Sequence, residues 1–381
     1  MTPRLFQYCR DRQDWLLDLI HALVTIESPT DNKGAVDRCG AVLADRLRSI
    51  GAAVTAVPQT AAGDHLLARF GTGGRQVLVI GHFDTVWPLG QLDRMPFRED
   101  AGRLHGPGVL DMKAGIALGM LATRALVDLA PSSDTRITML WTTDEETGSD
   151  TSRALIEAEA RQSEAVLVLE PALAGGALKT ARKGVGQYEL SVHGLSAHAG
   201  VDPRKGVNAI RELALQVLAV DAIRDLDRGI SVNVGVISGG TRSNVVPDFA
   251  TASVDVRAET MADADGIDRA MRALAAQTAG ARLEVDGGFN RPPMERSAGV
   301  VRLFETARAC AAEIGIALQE GATGGGSDGN FTAALGVPTL DGLGAVGDGA
   351  HALHEHVEVA PLPARAAIIA GLLYRLTQAA A

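Results

Sequence analysis

The sequence predicts a mixed α/β protein in which a smaller, ferredoxin-like domain interrupts a larger domain. Over the first half of the chain, short apolar runs typical of buried strands alternate with runs typical of helices. From about residue 184 the strand-like runs instead alternate polar and apolar side chains, as in a sheet with one solvated face. The first pattern resumes near residue 296. We therefore expect residues 1–183 and 296–381 to form one domain and residues 184–295 to form an insertion in it.

The larger domain is predicted from apolar runs and from residues that end helices. A helix is expected over residues 10–27, and a second helix ends near Gly51, because glycine readily adopts the left-handed conformation that terminates helices. The predicted strands are HLLARFG, RQVLVIGHFDTV, TRITMLWTT and EAVLVLEP, and a helix over MKAGIALGMLATRALVDL separates the second strand from the third. Beyond the insertion we expect a helix over residues 300–315, a strand in VPTLDGLG and a final helix.

The inserted domain shows the element order β-α-β-β-α-β. Its predicted strands are VGQYELSVHG, GISVNVGVISGG, ATASVDVRAE and ARLEVDGGF. Helices are predicted over GVNAIRELALQVLAVDAI, after the first strand, and over ADGIDRAMRALAAQTAG, before the last strand. This order is that of the ferredoxin-like fold.

Composition and charge exclude several classes of function. The 381 residues are 46% hydrophobic and 22% charged, as in ordinary globular proteins, and the net charge of −10 disfavours nucleic acid or an anionic membrane as a partner. The sequence has no apolar run of about 18 residues and no signal-peptide pattern, so no membrane span or export is predicted. Because the three cysteines lack paired spacing, we expect a reducing, cytoplasmic location.

Side chains that can bind metal follow several predicted strands. His82 and Asp84 end one strand two residues apart, so both point to the same side. A lone histidine there would more often be structural, but a neighbouring carboxylate is common beside a metal-bound imidazole. Asp111 lies in a Gly-rich loop before a helix, where it could equally be an N-cap. Glu170 ends another buried strand, where an unpaired carboxylate is costly.

Two further segments are rich in possible ligands. WTTDEETGS carries three adjacent acids, residues 144–146, and GDGAHALHEHVEV carries three histidines. Because ligands of open α/β sheets bind outside the carboxyl ends of the strands, we expect these groups to converge. Nitrogen and oxygen ligands without thiolate suit zinc, with cobalt or manganese as alternatives, and their number suffices for two ions. Two divalent ions exceed the charge of Asp111, Glu146 and Glu170 by one, which favours a bridging hydroxide as nucleophile.

The order of these motifs resembles that of a known enzyme family. GHFDTV, GPGVLDMKAG, WTTDEETGS, LEPA, GLSAHAG, GGGSD and GDGAHALHEHVEV look like the successive motifs of the co-catalytic zinc exopeptidases and deacylases, over about residues 15–375. That family includes carboxypeptidase G-type glutamate carboxypeptidases, aminoacylases, acetylornithine deacetylase and succinyl-diaminopimelate desuccinylase. The resemblance implies two divalent metal ions, most simply Zn²⁺. It also implies that the inserted domain is a lid through which the chain forms a homodimer.

The resemblance assigns metal ligands residue by residue. Five ligands are implied: His82, Asp111, Glu146, Glu170 and His351. The carboxylate at position 111 is expected to bridge both ions, whereas those at 146 and 170 each hold one ion. His351 is favoured over His354 and His356 because Glu355 follows it at the family's spacing of four residues. The peptide bond after the bridging aspartate is often cis in this family.

Three residues have catalytic roles implied by the resemblance. Glu145 corresponds to the general base, and Asp84 corresponds to the residue that orients the histidine at position 82. His198, in GLSAHAG, corresponds to the histidine that reaches the other subunit's active site and steadies the oxyanion. Outside this motif, a loop histidine would be the simpler interpretation.

Substrate contacts are implied for five residues of the remaining motifs. Asn244 and Arg257 match positions that hold the substrate's carboxylate, and an arginine fork can bind both carboxylate oxygens. Arg291, in FNRPPM, is a weaker candidate for a second cation that binds the substrate. Gly325 and Gly326, in GGGSDGN, predict a backbone cradle beside the substrate, although three glycines alone would indicate only a flexible turn.

The lid motifs and Glu170 bring the sequence closest to the carboxypeptidase G-type enzymes. We therefore expect hydrolysis of a peptide or N-acyl amide bond in a substrate with a free carboxylate, releasing a C-terminal amino acid. An N-acyl amino acid deacylase is the alternative. A non-catalytic binding protein or a metal-free structural dimer is disfavoured, because Glu145 and every implied ligand are present.

Overall fold

The computed structural model describes residues 1–130 and 134–378 of the chain. Its contacts divide the chain into two units. The first unit comprises Met1–Thr180, Arg296–Ala322 and Ser327–Ala381, and the second comprises Ala181–Glu295 and Thr323–Gly326. Each unit has its own sheet and its own buried apolar core.

The helices and strands of the described chain are numbered in chain order. The helices are α1 (Thr2–Asp11), α2 (Gln13–Val24), α3 (Lys33–Ser49), α4 (Ala114–Leu129), α5 (Arg153–Arg161), α6 (Ala209–Asp221), α7 (Met261–Arg272), α8 (Ala298–Ala312), α9 (Gly329–Ala334) and α10 (Leu362–Gln378). The strands are β1 (Ala53–Val57), β2 (His65–Phe70), β3 (Arg75–His82), β4 (Arg98–Asp100), β5 (Arg103–His105), β6 (Thr135–Thr142), β7 (Ala165–Val168), β8 (Leu178–Arg182), β9 (Gly184–His193), β10 (Ser231–Gly239), β11 (Phe249–Ala258), β12 (Arg282–Arg291), β13 (Glu320–Thr323), β14 (Thr339–Leu340), β15 (Gly347–Asp348) and β16 (His356–Glu358).

The main sheet of the first unit is mixed, as the sequence predicts. Its strand order is β1-β2-β6-β3-β7-β14. The strands β6, β3, β7 and β14 are parallel, and β1 and β2 extend the sheet in antiparallel pairing. The central strands are buried on both faces because their side chains are almost all apolar. The carboxyl ends of three adjacent parallel strands, β6, β3 and β7, therefore lie side by side at one edge of the sheet.

Helix α4 packs closely on this sheet through its small residues. A Cβ atom at Gly115 would lie only 2.1 Å from the carbonyl oxygen of Leu169, so only glycine allows this approach. The contact fixes the start of α4 against the segment that leads from β7 to Glu170.

The predicted boundaries are correct for α3 and wrong for the first helix. Gly51 follows α3 in the left-handed conformation (φ +95°), which is the predicted termination. The single helix expected over residues 10–27 is instead two helices. The first already begins at Thr2, with Pro3 in its first turn, and Arg12 (φ −118°, ψ 22°) breaks the helical conformation before α2.

The second unit has the predicted order β-α-β-β-α-β. Its four strands form an antiparallel sheet in the order β10-β11-β9-β12. One face buries an apolar core that includes Tyr188, Leu190 and Val254, while the alternate residues of β9 and β11 remain partly exposed. β10 lies at an edge of the sheet. None of the described helices is both long and apolar enough to span a membrane.

Candidate metal centre

His82 is held at the end of β3 with one ring nitrogen directed at a group of carboxylates. The side chain is 1% exposed, and its Nδ1 lies 3.1 Å from the backbone oxygen of Asp84 and 3.4 Å from Asp84 Oδ1. The opposite nitrogen, Nε2, lies 3.2 Å from Asp111 Oδ1 and 3.6 Å from Glu170 Oε1. A proton on Nδ1 therefore leaves Nε2 as the nitrogen that can bind a metal ion.

His351 faces the other oxygen of Asp111. Its Nε2 lies 3.3 Å from Asp111 Oδ2 and 3.1 Å from Glu146 Oε2. One carboxylate thus places its two oxygens against two different histidines, each of which has a second carboxylate beside it. This arrangement of one shared and two separate carboxylates has the form of a dinuclear metal site. His354 and His356 have no contact with Asp111 among the described interactions.

Glu145 and Glu146 follow β6 and differ in their surroundings. Glu146 is the more buried, with 6% of its side chain exposed, and its Oε1 is a buried oxygen without a hydrogen-bond partner among the described residues. Glu145 Oε2 lies 3.9 Å from His82 Nε2, farther than the nearest oxygens of Asp111 (3.2 Å) and Glu170 (3.6 Å). The ligand atoms of His82, Glu145 and Glu170 lie within 4.8 Å of one another, and so do those of His82, Asp111 and Glu146.

The loop that carries these two glutamates is fixed by neighbouring aspartates. Asp144 Oδ2 accepts hydrogen bonds from the backbone N–H of Thr151 at 2.7 Å and from its hydroxyl at 2.8 Å. Asp84 Oδ2 accepts a bond from the backbone N–H of Glu146 at 3.3 Å and from the hydroxyl of Thr30 at 2.7 Å. Asp84 therefore contacts both the histidine at the end of β3 and the loop after β6.

Glu355 holds the loop that carries Asp111. Its buried carboxylate accepts hydrogen bonds from the backbone N–H groups of Gly108, Leu110 and Asp111 and from the indole of Trp87. The sequence indicated Glu355 only as a spacing marker for His351, and no pattern pointed to Trp87. The peptide bond between Asp111 and the next residue is cis, as the family resemblance implies.

The electrostatics of the cluster suit a divalent cation. Hydrogen bonds to Asp111 and Glu146 raise the pKa of His351 to about 10. Burial opposes protonation of His82, but the surrounding carboxylates still raise its pKa well above the ordinary value. Burial raises the pKa of Glu146.

The donor set therefore fits a metal ion. Neither Asp111 nor Glu146 has a lysine or arginine partner among the described residues, so histidine is the only cation available to them. The ligand types are those of zinc and related ions, and the unpartnered Glu146 oxygen is a further donor.

In the second unit, His198 lies on an exposed turn with a defined tautomer. Its Nδ1 accepts hydrogen bonds from the backbone N–H groups of Gly200 and Val201, both at 3.1 Å. In the neutral ring the proton is therefore on Nε2, which is free to donate. The backbone N–H of Ala199 binds the carbonyl of Asn244 at 3.0 Å, so the two predicted lid residues lie on adjacent segments.

The predicted cations of the second unit already have partners. Arg257 binds both oxygens of Asp255 through Nε (2.9 Å) and Nη2 (2.8 Å). Arg291 is 6% exposed and donates to Asn290. The carbonyls of the predicted glycine cradle at positions 325 and 326 accept bonds from Arg182 at 3.1 and 3.0 Å. Arg182 was missed from sequence, because ARKG alone indicates only a solvated basic segment.

Comparison with known proteins identifies the family. Residues 78–375 match the family described as peptidase family M20/M25/M40. The chain belongs to this family. It is 32% identical over 380 residues to carboxypeptidase G2 of Pseudomonas sp. (strain RS-16), covering 98% of this chain and 92% of that protein. It is 30% identical over 367 residues to a succinyl-diaminopimelate desuccinylase of Bordetella petrii, covering 91% of this chain and 94% of that protein.

Solved structures share the fold over nearly the whole chain. An aminopeptidase PepT from Bacillus cereus has a TM-score of 0.78 at 23% identity, covering 96% of this chain and 99% of that chain. The YXEP protein of Bacillus subtilis, described as a dinuclear metal binding peptidase of the M20 family, has a TM-score of 0.70 at 15% identity, covering 97% and 99%. With the candidate dinuclear site, the family membership makes this chain a metallo-hydrolase.

Proposed function

We propose that this chain is a glutamate carboxypeptidase that hydrolyses the amide bond before a C-terminal residue. The observation that carries the proposal is the position of Asp111, whose two oxygens face separate histidine and carboxylate sets. Glu145 lies beside these groups, where a general base is needed. The preference for glutamate is supported by the 32% identity to carboxypeptidase G2. The 30% identity to a desuccinylase supports an N-acyl amino acid deacylase as the second candidate.

The proposed cofactor is a pair of zinc ions, with cobalt or manganese as alternatives. His82 and Glu170 would hold one ion, His351 and Glu146 the other, and Asp111 would bind both. When bound, such ions polarise the scissile carbonyl and lower the pKa of the attacking water. A reducing, cytoplasmic location belongs to the same proposal, since the three cysteines are buried free thiols.

Proton transfer is assigned to Glu145. Its carboxylate accepts a proton from the attacking water and delivers that proton to the departing amine, a contribution of about 10²- to 10⁴-fold in rate. Asp84 supports this step indirectly, because it fixes His82 through Nδ1 and the glutamate loop through the backbone of Glu146.

Residues 184–295 are proposed to act as a lid that contacts the substrate. His198, supplied by the other subunit, would donate its Nε2 proton to the developing oxyanion, and its tautomer supports this role. The remaining proposed substrate contacts are Asn244, Arg257, Arg291, Gly325 and Gly326.

The same unit is proposed to form the homodimer. Val236 and Ile237 on the edge strand β10 are 63% and 67% exposed, and Leu218 on α6 is 70% exposed. An open sheet edge with apolar side chains favours pairing with another copy of the chain. Replacing Val236 with Glu should yield monomers in analytical ultracentrifugation, whereas a variant that stays dimeric places the interface elsewhere.

A substrate panel combined with one variant tests the proposed reaction. Wild-type protein loaded with zinc should release glutamate from folyl-glutamate and N-acyl-glutamate faster than it cleaves N-acetylornithine or N-succinyl-diaminopimelate. Glu145→Gln should reduce turnover by about 10²- to 10⁴-fold while both metal ions remain bound. Glu99→Gln, on the exposed strand β4, is the control. Preferential cleavage of N-acetylornithine or N-succinyl-diaminopimelate would instead establish the deacylase, and near-normal turnover by Glu145→Gln would contradict its assignment as the general base.

A further inference from the structure

Glu355 is a completely buried carboxylate whose described contacts are all with N–H groups. Oε1 accepts hydrogen bonds from the backbone of Leu110 at 2.8 Å and of Asp111 at 3.1 Å. Oε2 accepts bonds from the backbone of Gly108 and the indole of Trp87, both at 3.0 Å. Among the described residues no lysine or arginine forms an ion pair with it. A buried anion with four neutral donors is unusual, because an unpaired charge is costly to desolvate.

The four hydrogen-bond donors explain how a buried carboxylate is accommodated at position 355. Three of them belong to residues 108–111, a segment that begins at the left-handed residue Gly108 (φ +71°) and departs from helical dihedral angles at Asp111 (φ −113°, ψ 92°). Buried backbone N–H groups need acceptors, and one carboxylate satisfies three of them at once. The conformation of the segment is thereby fixed at the residue that supplies the shared ligand, Asp111.

The same glutamate lies on the segment that carries His351. The backbone N–H of Glu355 binds the carbonyl of Ala352 at 2.9 Å, within the turn that His351 begins. His351 has a positive φ of 62°, a conformation that is uncommon for residues other than glycine and that the surrounding turn must hold. Glu355 is thus attached by its backbone to one side of the cluster and by its side chain to the other.

We infer that Glu355 is a positioning residue that sets the distance between Asp111 and His351 and thereby builds the His351 side of the dinuclear site. This inference rests on the proposed two-metal centre. The His82 side depends on it less, because His82 ends β3, Glu170 follows β7 by two residues, and His82 has its own partner in Asp84. Loss of Glu355 should therefore weaken the two metal positions unequally.

Zinc titration of Glu355→Gln measures this inequality directly. The amide keeps the shape but presents an NH₂ group to N–H donors on one side, so two of the four hydrogen bonds cannot form. After removal of metal with a chelator, we expect one of the two zinc dissociation constants to rise by about 10- to 100-fold, with little change in the other. Glu358→Gln, three residues later on an exposed position of β16, is the matched control and should bind zinc like the wild type.

Repeating the titration in a His351→Ala variant identifies which of the two metal positions is affected. In His351→Ala only the His82 side can bind zinc tightly, and adding Glu355→Gln to it should change that remaining affinity by less than about threefold, because His82 keeps its partner Asp84 and Glu170 is held by the main sheet. Equal weakening of both positions in Glu355→Gln, or a large further loss in the double variant, would show a general structural role and overturn the inference.

Milder variants keep the test decisive if Glu355→Gln does not fold. Trp87→Phe removes one neutral donor and leaves the three backbone bonds, so the same dissociation constant should rise by about 2- to 10-fold. Glu355→Asp keeps the charge but shortens the side chain, and its effect should lie between those two. Normal binding of both ions by these variants would refute the inference, whereas fewer than two ions in the wild type would refute the proposed two-metal centre instead.

Discussion

The two units hold most of their predicted functional side chains in opposite ways, with His351 (51% exposed) and Arg291 (6% exposed) as exceptions. In the first unit, Asp111 and Glu146 are 16% and 6% exposed, and the segments that carry them are fixed by further carboxylates. In the second unit, His198 and Asn244 lie on exposed turns, and Arg257 is 29% exposed and paired with an acid of its own strand.

The difference separates two requirements of the proposed chemistry. A metal ion is bound only where several ligands are already in place, so its site is built by the sheet and by buried hydrogen bonds. Substrate is bound and released in every turnover, so the side chains that contact it need only be accessible from solvent. Variants of the proposed metal ligands in the first unit should therefore change metal content, whereas variants of the proposed substrate contacts in the second unit should change kcat or KM at constant metal content.

The largest expected effect is that of Asp111→Asn. An amide has one acceptor oxygen and no charge, so it cannot bridge two cations. We expect both ions to be lost on dialysis, measured by plasma mass spectrometry, and hydrolysis to fall to the background rate. Asp100→Asn on the exposed strand β4 should retain both ions. Retention of two ions by Asp111→Asn would contradict the bridging assignment.

His198→Ala should reduce kcat without affecting the metal. Removal of a donor to a developing oxyanion reduces turnover by about 10²- to 10³-fold. Metal content and melting temperature should stay at wild-type values, because the side chain is exposed and its hydrogen bonds within the described chain are to its own turn. His193→Ala, a partly buried histidine of β9, is the control. A parallel loss of metal in His198→Ala would break the distinction between the two units.

The convergence of three of the proposed metal ligands was predictable from sequence because it follows from sheet topology. His82, Glu146 and Glu170 end or follow three strands with the apolar pattern of buried parallel strands, and such strands end at one edge. The fold of both units follows from the same patterns. The helix boundary near Arg12 was not predictable, because the residues on both sides of it continue an amphipathic pattern.

The contacts of individual side chains were not predictable in the same way. The bonds of Glu355 depend on the turn geometry of residues 108–111, and spacing along the chain contains no information on that geometry. Arg182 and Arg257 are both basic residues on strands, yet one binds glycine carbonyls and the other binds Asp255. Pairing of this kind is decided by side-chain direction, which only the structure gives.

Arg257 and Asp255 provide a graded test of the second unit. If the guanidinium holds a substrate carboxylate, Arg257→Gln should raise KM by about 10- to 100-fold, since hydrogen bonds to charged groups contribute about 1.5–3 kcal/mol. Asp255→Asn should lower KM by a few-fold, because it frees the fork that Asp255 now occupies. Both variants should bind metal normally. An unchanged KM in Arg257→Gln would mean that another cation binds the substrate carboxylate.

The smallest expected effect concerns His65, which flanks the glutamate loop in the first unit. Its ring contacts the hydroxyls of Thr143 (2.9 Å) and Thr151 (3.1 Å), on either side of that loop. Burial lowers the pKa of His65 below 6.5, its ordinary value. The unfolded chain therefore binds this proton more readily than the folded chain, and folding stability falls as the pH drops through 6.5 toward the lower pKa of the folded state. Above about pH 7.5 neither state is protonated at an ordinary pKa near 6.5, and the contribution vanishes.

Thermal unfolding of metal-free protein between pH 5 and pH 8 measures this contribution. His65→Gln cannot take up the proton, so the melting temperature of the wild type should decline more steeply with acidification than that of the variant. His193→Ala in the second unit should follow the wild type. Parallel curves for wild type and His65→Gln would mean that the folded protein accommodates a protonated His65 without loss of stability. The two threonines would then hold the glutamate loop whatever the charge of the histidine.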